Sequence, residues 1–255
     1  MKILRGLLVL ILVLVVIGAA VVWTLPADVA LRWFAPPLGP VQISGVSGTI
    51  WQGRASNVSV LGQSVGLLDW TLHKAPLLSR RVIADINVAG TMIDAKGELT
   101  READGQLILR ESSFRLPAHL LEPALDIPSL KLLGTVEGTM SEARISAGWL
   151  AGAKGTARWT QAGVSGQAEA RFGDLLAEFA SQPDGGIAGT VRDDQRSNLA
   201  VEGQFVVRAG QFDASARLSV RNDDSQIREA LRYVGEPQAD GTSLLKVHGQ
   251  LFKLL

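Results

Sequence analysis

The chain has 255 residues with 25 basic and 25 acidic side chains, and it contains no cysteine. These numbers exclude a disulfide framework and thiolate chemistry, so stability has to come from burying apolar surface, for which the length is ample. No basic run or patch stands out, and we therefore expect no nucleic-acid partner.

An apolar run extends over residues 6–25, and Thr24 is its one polar residue. Twenty helical residues rise about 1.5 Å each, which matches the roughly 30 Å hydrocarbon core of a bilayer. We predict that this run is a transmembrane anchor and that the lipid bilayer is a partner of the chain.

Lys2 and Arg5 lie on the short N-terminal side of the run. Because basic flanks favour the cytoplasmic side, residues 1–5 are predicted to be cytoplasmic and the residues after this single span to be exported.

A cleavable signal peptide is the alternative, with Gly18-Ala19-Ala20 as the cleavage site. The apolar run continues past that point through Trp23, a residue suited to the membrane boundary, and this favours a retained anchor.

Residues 26–40 are predicted to be a juxtamembrane helix and linker. Pro26 to Phe34 has proline at the first turn of a short helix, and Pro36-Pro37 would end it.

From Val41 onward, apolar and polar residues alternate with the period of strands, as in Val82 to Ala89 and Gln211 to Arg221. A third such stretch, Trp149 to Trp159, is interrupted by Gly155, which indicates a bend or bulge. Aspartate–glycine turn signals separate the strands. We predict a mainly β domain over 41–255: a twisted, mostly antiparallel sheet, either β-sandwich-like or open-barrel, with one or two short helices.

Two helices are expected within this domain, one of a turn or two near 117–125 and one from Asp224 to Val234. The proline-rich segment 117–130 is a candidate division between two similar halves. Gly48-Thr49-Ile50 before Trp70 and Gly138-Thr139-Met140 before Trp159 give a faint internal echo, which suggests a duplicated meander of about 90 residues.

Gly62-Gln63-Ser64-Val65-Gly66 matches the signature of a hydrolase nucleophile elbow. An elbow serine needs a helix directly after it, whereas Ser64 is followed by strand-like alternation and then Pro76. We therefore interpret Ser64 as part of a hairpin and expect no catalytic residue here.

The other candidates are also weak. His119 and Glu122 are spaced as a half-site for zinc without a third ligand, and His73 and His248 fall on polar strand positions. Asp193-Asp194 and Asp223-Asp224 are interpreted as solvated turn and helix-cap residues. Trp70, Trp149 and Trp159 lie in apolar phase, so we expect them to pack in the core. No metal and no cofactor are predicted.

One block does carry information. Residues 45–55 read Gly-Val-Ser-Gly-Thr-Ile-Trp-Gln-Gly-Arg-Ala, after an N-terminal apolar run and before a strand that ends in Trp70. This arrangement resembles the type II secretion system protein N family, as do chain length and the C-terminal stretch from Arg228 to Leu251. The block's glycines permit tight turns, and its tryptophan supplies an anchor, so it would fix where the first sheet begins. The motif residues are Gly45, Gly48, Thr49, Trp51, Gly53 and Trp70.

The resemblance implies a non-enzymatic accessory component of the bacterial inner membrane, with a single span and its main domain in the periplasm. It would belong to the machine that exports folded proteins across the Gram-negative outer membrane. Its partners would be other inner-membrane and periplasmic subunits of that system, reached by strand addition at a sheet edge. Two alternatives stay open. One is an envelope lipid-handling protein with an apolar β groove and a lipid ligand, and the other is a periplasmic hydrolase that uses Ser64.

Overall fold

The computed structural model describes residues 23–34, 41–60, 63–124, 131–166, 170–222, 227–228, 231 and 235–250. The predicted anchor over 6–25 lies outside these residues except for its last three positions. Among the described residues, no helix combines the length and the apolar character needed to cross a bilayer.

The described residues form fourteen strands, the complete helix α1 (Ala27–Phe34) and two short 3₁₀ helices (Ala75–Ser79 and Ala118–Ala124). Residues 23–24, 227–228 and 231 are also helical, in segments that are described only in part. The strands are β1 (Val41–Gly48), β2 (Gln52–Val60), β3 (Gln63–His73), β4 (Val82–Ala89), β5 (Asp94–Arg101), β6 (Leu107–Pro117), β7 (Lys131–Ser146), β8 (Trp149–Ser165), β9 (Ala170–Ser181), β10 (Ile187–Asp193), β11 (Leu199–Arg208), β12 (Gln211–Val220), β13 (Glu236–Pro237) and β14 (Ser243–Gln250).

All fourteen strands belong to one open antiparallel sheet. Each strand from β1 to β12 pairs with the next one along the chain, and the order closes with β14 and then β13. The prediction of a mainly β, antiparallel fold is confirmed. The sandwich-like alternative is wrong, because the strands form a single sheet and not two facing ones.

The pairing register places alternate residues of every long strand on one common face. That face is apolar from β1 to β14, and we call it the apolar face. Its members in successive strands include Val46, Ala55, Trp70, Ile86, Leu99, Phe114, Val136, Ala157, Ala177, Val191, Val201, Ala216 and Leu245. The two-residue period of apolar side chains in the sequence therefore determines which side of the sheet is apolar.

The opposite, polar face carries ion pairs between neighbouring strands. Arg54 Nε lies 2.5 Å from Asp69 Oδ1, Arg115 Nη2 lies 3.0 Å from Glu137 Oε2, and Arg192 Nη2 lies 3.1 Å from Glu178 Oε1. These pairs are exposed, so each contributes little to stability. They favour the observed strand register, because a shift of one residue would move the charged side chains to the apolar face.

The second half of the sheet is curled. Val136 in β7 and Leu245 in β14 line the same apolar cavity of about 340 Å³. In a flat sheet these strands, six steps apart, would be separated by roughly 29 Å, at about 4.8 Å a step. Strands β7 to β14 therefore bend around a trough on the apolar face.

Large side chains occupy both ends of this trough. One cluster, which includes Phe172, Leu199 and Leu218, is joined by Ala118 of the second 3₁₀ helix and by Leu231. The cluster at the other end contains Ile187 and Val207, with the rings of the partly buried residues Phe179, Phe205 and Phe212 packed against it. A third cluster, around Ala55 and Val58, holds the first three strands together.

The predicted turns are confirmed, and three of them share one hydrogen-bond pattern. At Pro183-Asp184-Gly185-Gly186, the Gln182 N–H donates to the Gly186 carbonyl (2.7 Å), and the Gly186 N–H donates to Asp184 Oδ1 (3.2 Å). The turns that follow Glu102 and Gln238 repeat this arrangement. Gly185 has φ +84°, a conformation that favours glycine, and this is why the sequence places glycine directly after aspartate.

The helix predictions agree with the described residues. Helix α1 follows Pro26, a 3₁₀ helix covers Ala118–Ala124, and Ile227, Arg228 and Leu231 of the third predicted helix are helical. The remainder of that helix and the pair Asp223-Asp224 lie outside the described residues.

The sheet is continuous where two halves were expected to divide. Strands β6 and β7 pair with each other from Leu107 and Ile145 to Pro117 and Thr135. Gly48 ends β1, whereas Gly138 lies inside β7, so the tripeptide echo is not reproduced in strand positions. The expected break at Gly155 is a register shift in the partner strand, between Met140 and Glu142.

The environment of one carboxylate, that of Asp193, differs from the prediction. Asp193 was expected to be solvated, but only 5% of it is exposed. Its oxygens accept hydrogen bonds from Arg221 Nη1 (2.6 Å), the Val201 N–H (2.9 Å) and the Gln195 N–H (2.7 Å). Burial acts to raise the pKa of Asp193, but these hydrogen bonds outweigh it, and the pKa lies below its usual value. Asp193 therefore ties the ends of β10, β11 and β12 together.

We predict that Asp193→Asn lowers the free energy of unfolding by about 2 kcal/mol at pH 7, since it removes a charged acceptor from a buried site. Because the folded-state pKa is lower than the unfolded value of about 3.9, this contribution is present above that pH and is lost as the pH falls through the folded-state pKa. Chemical denaturation at pH 7 and near pH 3 checks both points. An equal loss at the two pH values would contradict the role of the ionised carboxylate.

Candidate functional site

The six motif residues come together in the first three strands. Gly45 and Gly48 lie in β1, Thr49 and Trp51 lie between β1 and β2, and Gly53 lies in β2. Trp70 of β3 is the residue directly opposite Gly53 in the pairing register. We call this group the N-terminal junction.

The turn of the junction depends on backbone conformation. Gly48 has φ +86°, and a Cβ on it would lie 2.6 Å from the Gln52 carbonyl oxygen. Thr49 closes the turn, because its N–H donates to the Gln52 carbonyl (2.9 Å) and its Oγ1 accepts from the Gln52 N–H (3.2 Å). Glycine followed by threonine is therefore what lets β1 fold back onto β2.

Trp70 fixes the other side of the turn. Its ring lies against Gly53, where a Cβ would be 2.8 Å from Trp70 Cε2 and 2.9 Å from the Ser47 carbonyl oxygen. Its indole Nε1–H donates to the Ile50 carbonyl (3.2 Å). The motif thus pairs a residue without a side chain with the largest side chain, and the indole N–H of Trp70 is satisfied.

The junction also binds the residues that follow the apolar run of the sequence. Pro26 forms an antiparallel bridge with Thr49, and the Ile50 N–H donates to the Leu25 carbonyl (3.1 Å). Ala27, the first residue of α1, is only 1% exposed. The backbone of Ile50 therefore connects Leu25, through the Ile50 N–H, with Trp70, through the Ile50 carbonyl.

A lysine lies between two tryptophans at the same place. Lys74, directly after β3, has its Nζ 3.2 Å from the ring centroid of Trp23 and 5.1 Å from that of Trp51. A cation over an aromatic face is attracted by the ring quadrupole. Residues 23, 51 and 74 are brought together only by folding, so the role of Lys74 has no local sequence signal.

Ser64 is the second residue of β3 and does not lie at a nucleophile elbow. Its hydroxyl donates to Asn57 Oδ1 (2.5 Å) across the β2–β3 hairpin, and β3 continues to His73 without a helix. The hairpin interpretation is confirmed. The strand–turn–helix context on which a catalytic serine depends is not present at this position.

His73 and His248 each form a hydrogen bond with an aspartate and, among the residues that the structure describes, do not belong to a cluster of metal ligands. His73 Nε2 lies 2.8 Å from Asp85 Oδ2 and His248 Nδ1 lies 2.7 Å from Asp213 Oδ1, both on the exposed polar face. Glu122 accepts from the Leu132 N–H (2.7 Å), so it connects the second 3₁₀ helix to β7. Within the described part of the chain, no three histidine, aspartate or glutamate side chains are grouped as metal ligands.

Trp149 and Trp159 both pack against other parts of the fold. Trp159 donates from Nε1 to the Leu133 carbonyl (2.7 Å), and its ring meets Phe172 edge-on at a centroid distance of 6.4 Å. The ring of Trp149 lies against Gly210, where a Cβ would be 3.1 Å from its Cδ2. Trp159 is therefore a structural side chain of the apolar face, and Trp149 is a structural side chain that packs against the β11–β12 turn.

The geometry defines a class of protein: a single-sheet β protein whose first turn is bound to the residues next to an apolar N-terminal run. The family model for type II secretion system (T2SS), protein N matches residues 39–245, and this chain belongs to that family. Membership supports a role as a component of type II secretion, and this is consistent with an envelope location.

A curated protein supports the same assignment. The chain is similar to type II secretion system protein N of Vibrio cholerae serotype O1 (strain ATCC 39315 / El Tor Inaba N16961), with 26% identity over 247 residues. The aligned region covers 92% of this chain and 95% of the Vibrio protein. No solved structure matches the chain significantly.

We predict that Trp70→Phe lowers the free energy of unfolding by about 1 kcal/mol, because the Ile50 carbonyl loses its indole donor. Trp33→Phe is the control, since Trp33 is 78% exposed and its replacement should change stability by less than about 0.5 kcal/mol. Denaturant midpoints of the two variants make the comparison. Equal midpoints would mean that the hydrogen bond does not hold the junction.

Proposed function

We propose that this chain is a non-enzymatic accessory subunit of the type II secretion system, anchored in the inner membrane by residues 6–25. Its sheet lies in the periplasm and contacts other subunits of the system. The observation that carries the proposal is the N-terminal junction, in which the family motif binds residues 25 and 26 to the start of the sheet. Such a junction transmits the position of an anchor to the domain without any chemistry.

The two ends of the sheet differ in how they are covered. At the β1 end, Pro26 pairs with Thr49 and α1 packs beside the strand. At the other end, β13 covers only Ser243 and Leu244 of β14. Among the described residues, no strand pairs with the outer side of β14 from Leu245 to Gln250.

An unpaired edge presents backbone N–H and C=O groups to an added strand. We infer that an extended segment of another secretion subunit pairs with β14 over Leu245 to Gln250. Backbone hydrogen bonds would supply affinity, and side chains of alternating faces would supply specificity.

Photo-crosslinking in the native host tests this edge. Benzoylphenylalanine at Lys246 or Gln250 should give adducts with secretion subunits that mass spectrometry identifies. Gln204 is the matched control, since it is exposed on the polar face of β11, an interior strand with neighbours on both sides. Equal adducts at Gln204, or adducts at neither edge position, would contradict docking at β14.

Deletion of the gene tests the assignment to secretion itself. We expect enzymes that normally leave the cell to accumulate in the periplasm, and the full-length chain supplied in trans should restore their export. Unchanged export, combined with no crosslink to a secretion subunit, would overturn the proposal.

The absence of catalysis is tested at Ser64, the strongest catalytic candidate in the sequence. The bond of its hydroxyl to Asn57 supports a structural role. We expect a fluorophosphonate probe to label the wild-type chain no more than Ser64→Ala. Labelling of the wild type that disappears in Ser64→Ala would establish a hydrolase instead.

A further inference from the structure

The trough on the apolar face is lined almost entirely by apolar side chains. Its cavity of about 340 Å³ lies within the range of small-molecule sites, and Val136, Trp159, Leu175, Val191, Ala216 and Leu245 line it. Gln204 and Ser215 also border it, but both occupy polar-face positions of their strands. The side chains that face into the trough are therefore apolar.

The floor of the trough is a row of aliphatic side chains and one glycine, in register across six strands. The row consists of Ala157, Ala177, Val191, Gly203, Ala216 and Leu245, each opposite the next. Large residues flank it on both sides along the strand direction, Trp159 and Leu175 on one side and Phe179 and Phe205 on the other. The result is a furrow that crosses the strands between two ridges.

The furrow is open to its surroundings. Leu121 of the second 3₁₀ helix borders the cavity and is 40% exposed. Val191 and Ala216 in the floor are only half-buried. An accessible apolar surface of this kind marks a site of interaction and not a closed core.

We propose that the trough binds an acyl chain of a membrane phospholipid. A bound peptide would bring backbone N–H and C=O groups, and burying them without hydrogen-bond partners is costly. The walls provide none, because the backbone groups of β8 to β12 are used in pairing with both neighbouring strands. An acyl chain has no such groups, and it gains from the removal of each methylene from water.

The position of the trough supports a lipid from the bilayer as the source. The apolar face is continuous in register from the trough back to β1. The end of β1 is bound to Pro26, the residue next to the apolar run over 6–25. An acyl chain can therefore remain in contact with the apolar face from β1, the strand closest to the proposed anchor, to the trough. This binding does not depend on the docking of β14.

Two adjacent residues of β10 provide a matched crosslinking test. Val191 lines the trough, whereas Thr190 lies on the polar face, and both are β-branched. Benzoylphenylalanine is placed at one position or the other in the full-length chain in native membranes. After irradiation, the intact mass should increase by that of a phospholipid at Val191 and not at Thr190. A protein adduct at Val191, or no adduct there, would overturn the proposal.

The absence of natural cysteine allows a second test that needs only a small substitution. The full-length chain carrying Ala216→Cys, held in amphipathic polymer without detergent, is treated with a maleimide in the presence of lysophosphatidylcholines of increasing acyl length. Bound lipid should slow the labelling of the cysteine. The lipid concentration that halves the labelling rate should fall about fourfold for each added methylene.

Arg217→Cys is the control, because Arg217 is exposed on the opposite face of the same strand. Its labelling should be independent of lipid. Equal protection at both positions, or protection that does not change with acyl length, would contradict binding in the trough.

Discussion

The constraint on which the structure depends is the alternation of apolar and polar side chains through one continuous sheet. Because the side-chain period of a strand is two residues, every long strand contributes to the same apolar face. In the part of the chain that the structure describes, the strands form a single layer, so no second sheet buries that face. The sheet curls instead from β7 to β14, and residues six strands apart line one cavity. The cross-strand ion pairs of the polar face hold the register that keeps the two faces distinct.

The N-terminal junction gives this sheet a fixed starting point. Gly48 and Gly53 allow close approach of β1 and β2, and Trp70 covers the approach and binds the Ile50 carbonyl. The N–H of the same residue, Ile50, donates to the Leu25 carbonyl in the segment that precedes α1. Gly48, Gly53 and Trp70 of this block therefore have a structural explanation, since they support the connection between the N-terminal segment and the domain.

Much of the fold follows from the sequence because strand, turn and face are local properties. The strand Val82–Ala89 and the aspartate–glycine turns depend on neighbours two to four residues away, and they were predicted correctly. What could not be predicted depends on distant partners. Asp193 is buried only because Arg221 and the Val201 N–H donate hydrogen bonds to its carboxylate. Lys74 lies over the ring of Trp23, which is about fifty residues earlier in the chain. Alternation likewise gives the same pattern for a sandwich and for a single curled sheet, so curvature appeared only in the structure.

The central claim is that the apolar face of the curled sheet is accessible and not covered by a second layer. Nitroxide labels at Ala214 and Ala216, compared with Asp213 and Arg217 on the other face of β12, test it directly by collision with molecular oxygen and with a water-soluble nickel chelate. The account predicts that labels at 214 and 216 collide with oxygen and hardly with nickel, whereas labels at 213 and 217 collide with both. Exclusion of both reagents from positions 214 and 216 would show a packed layer over the trough and would contradict the account.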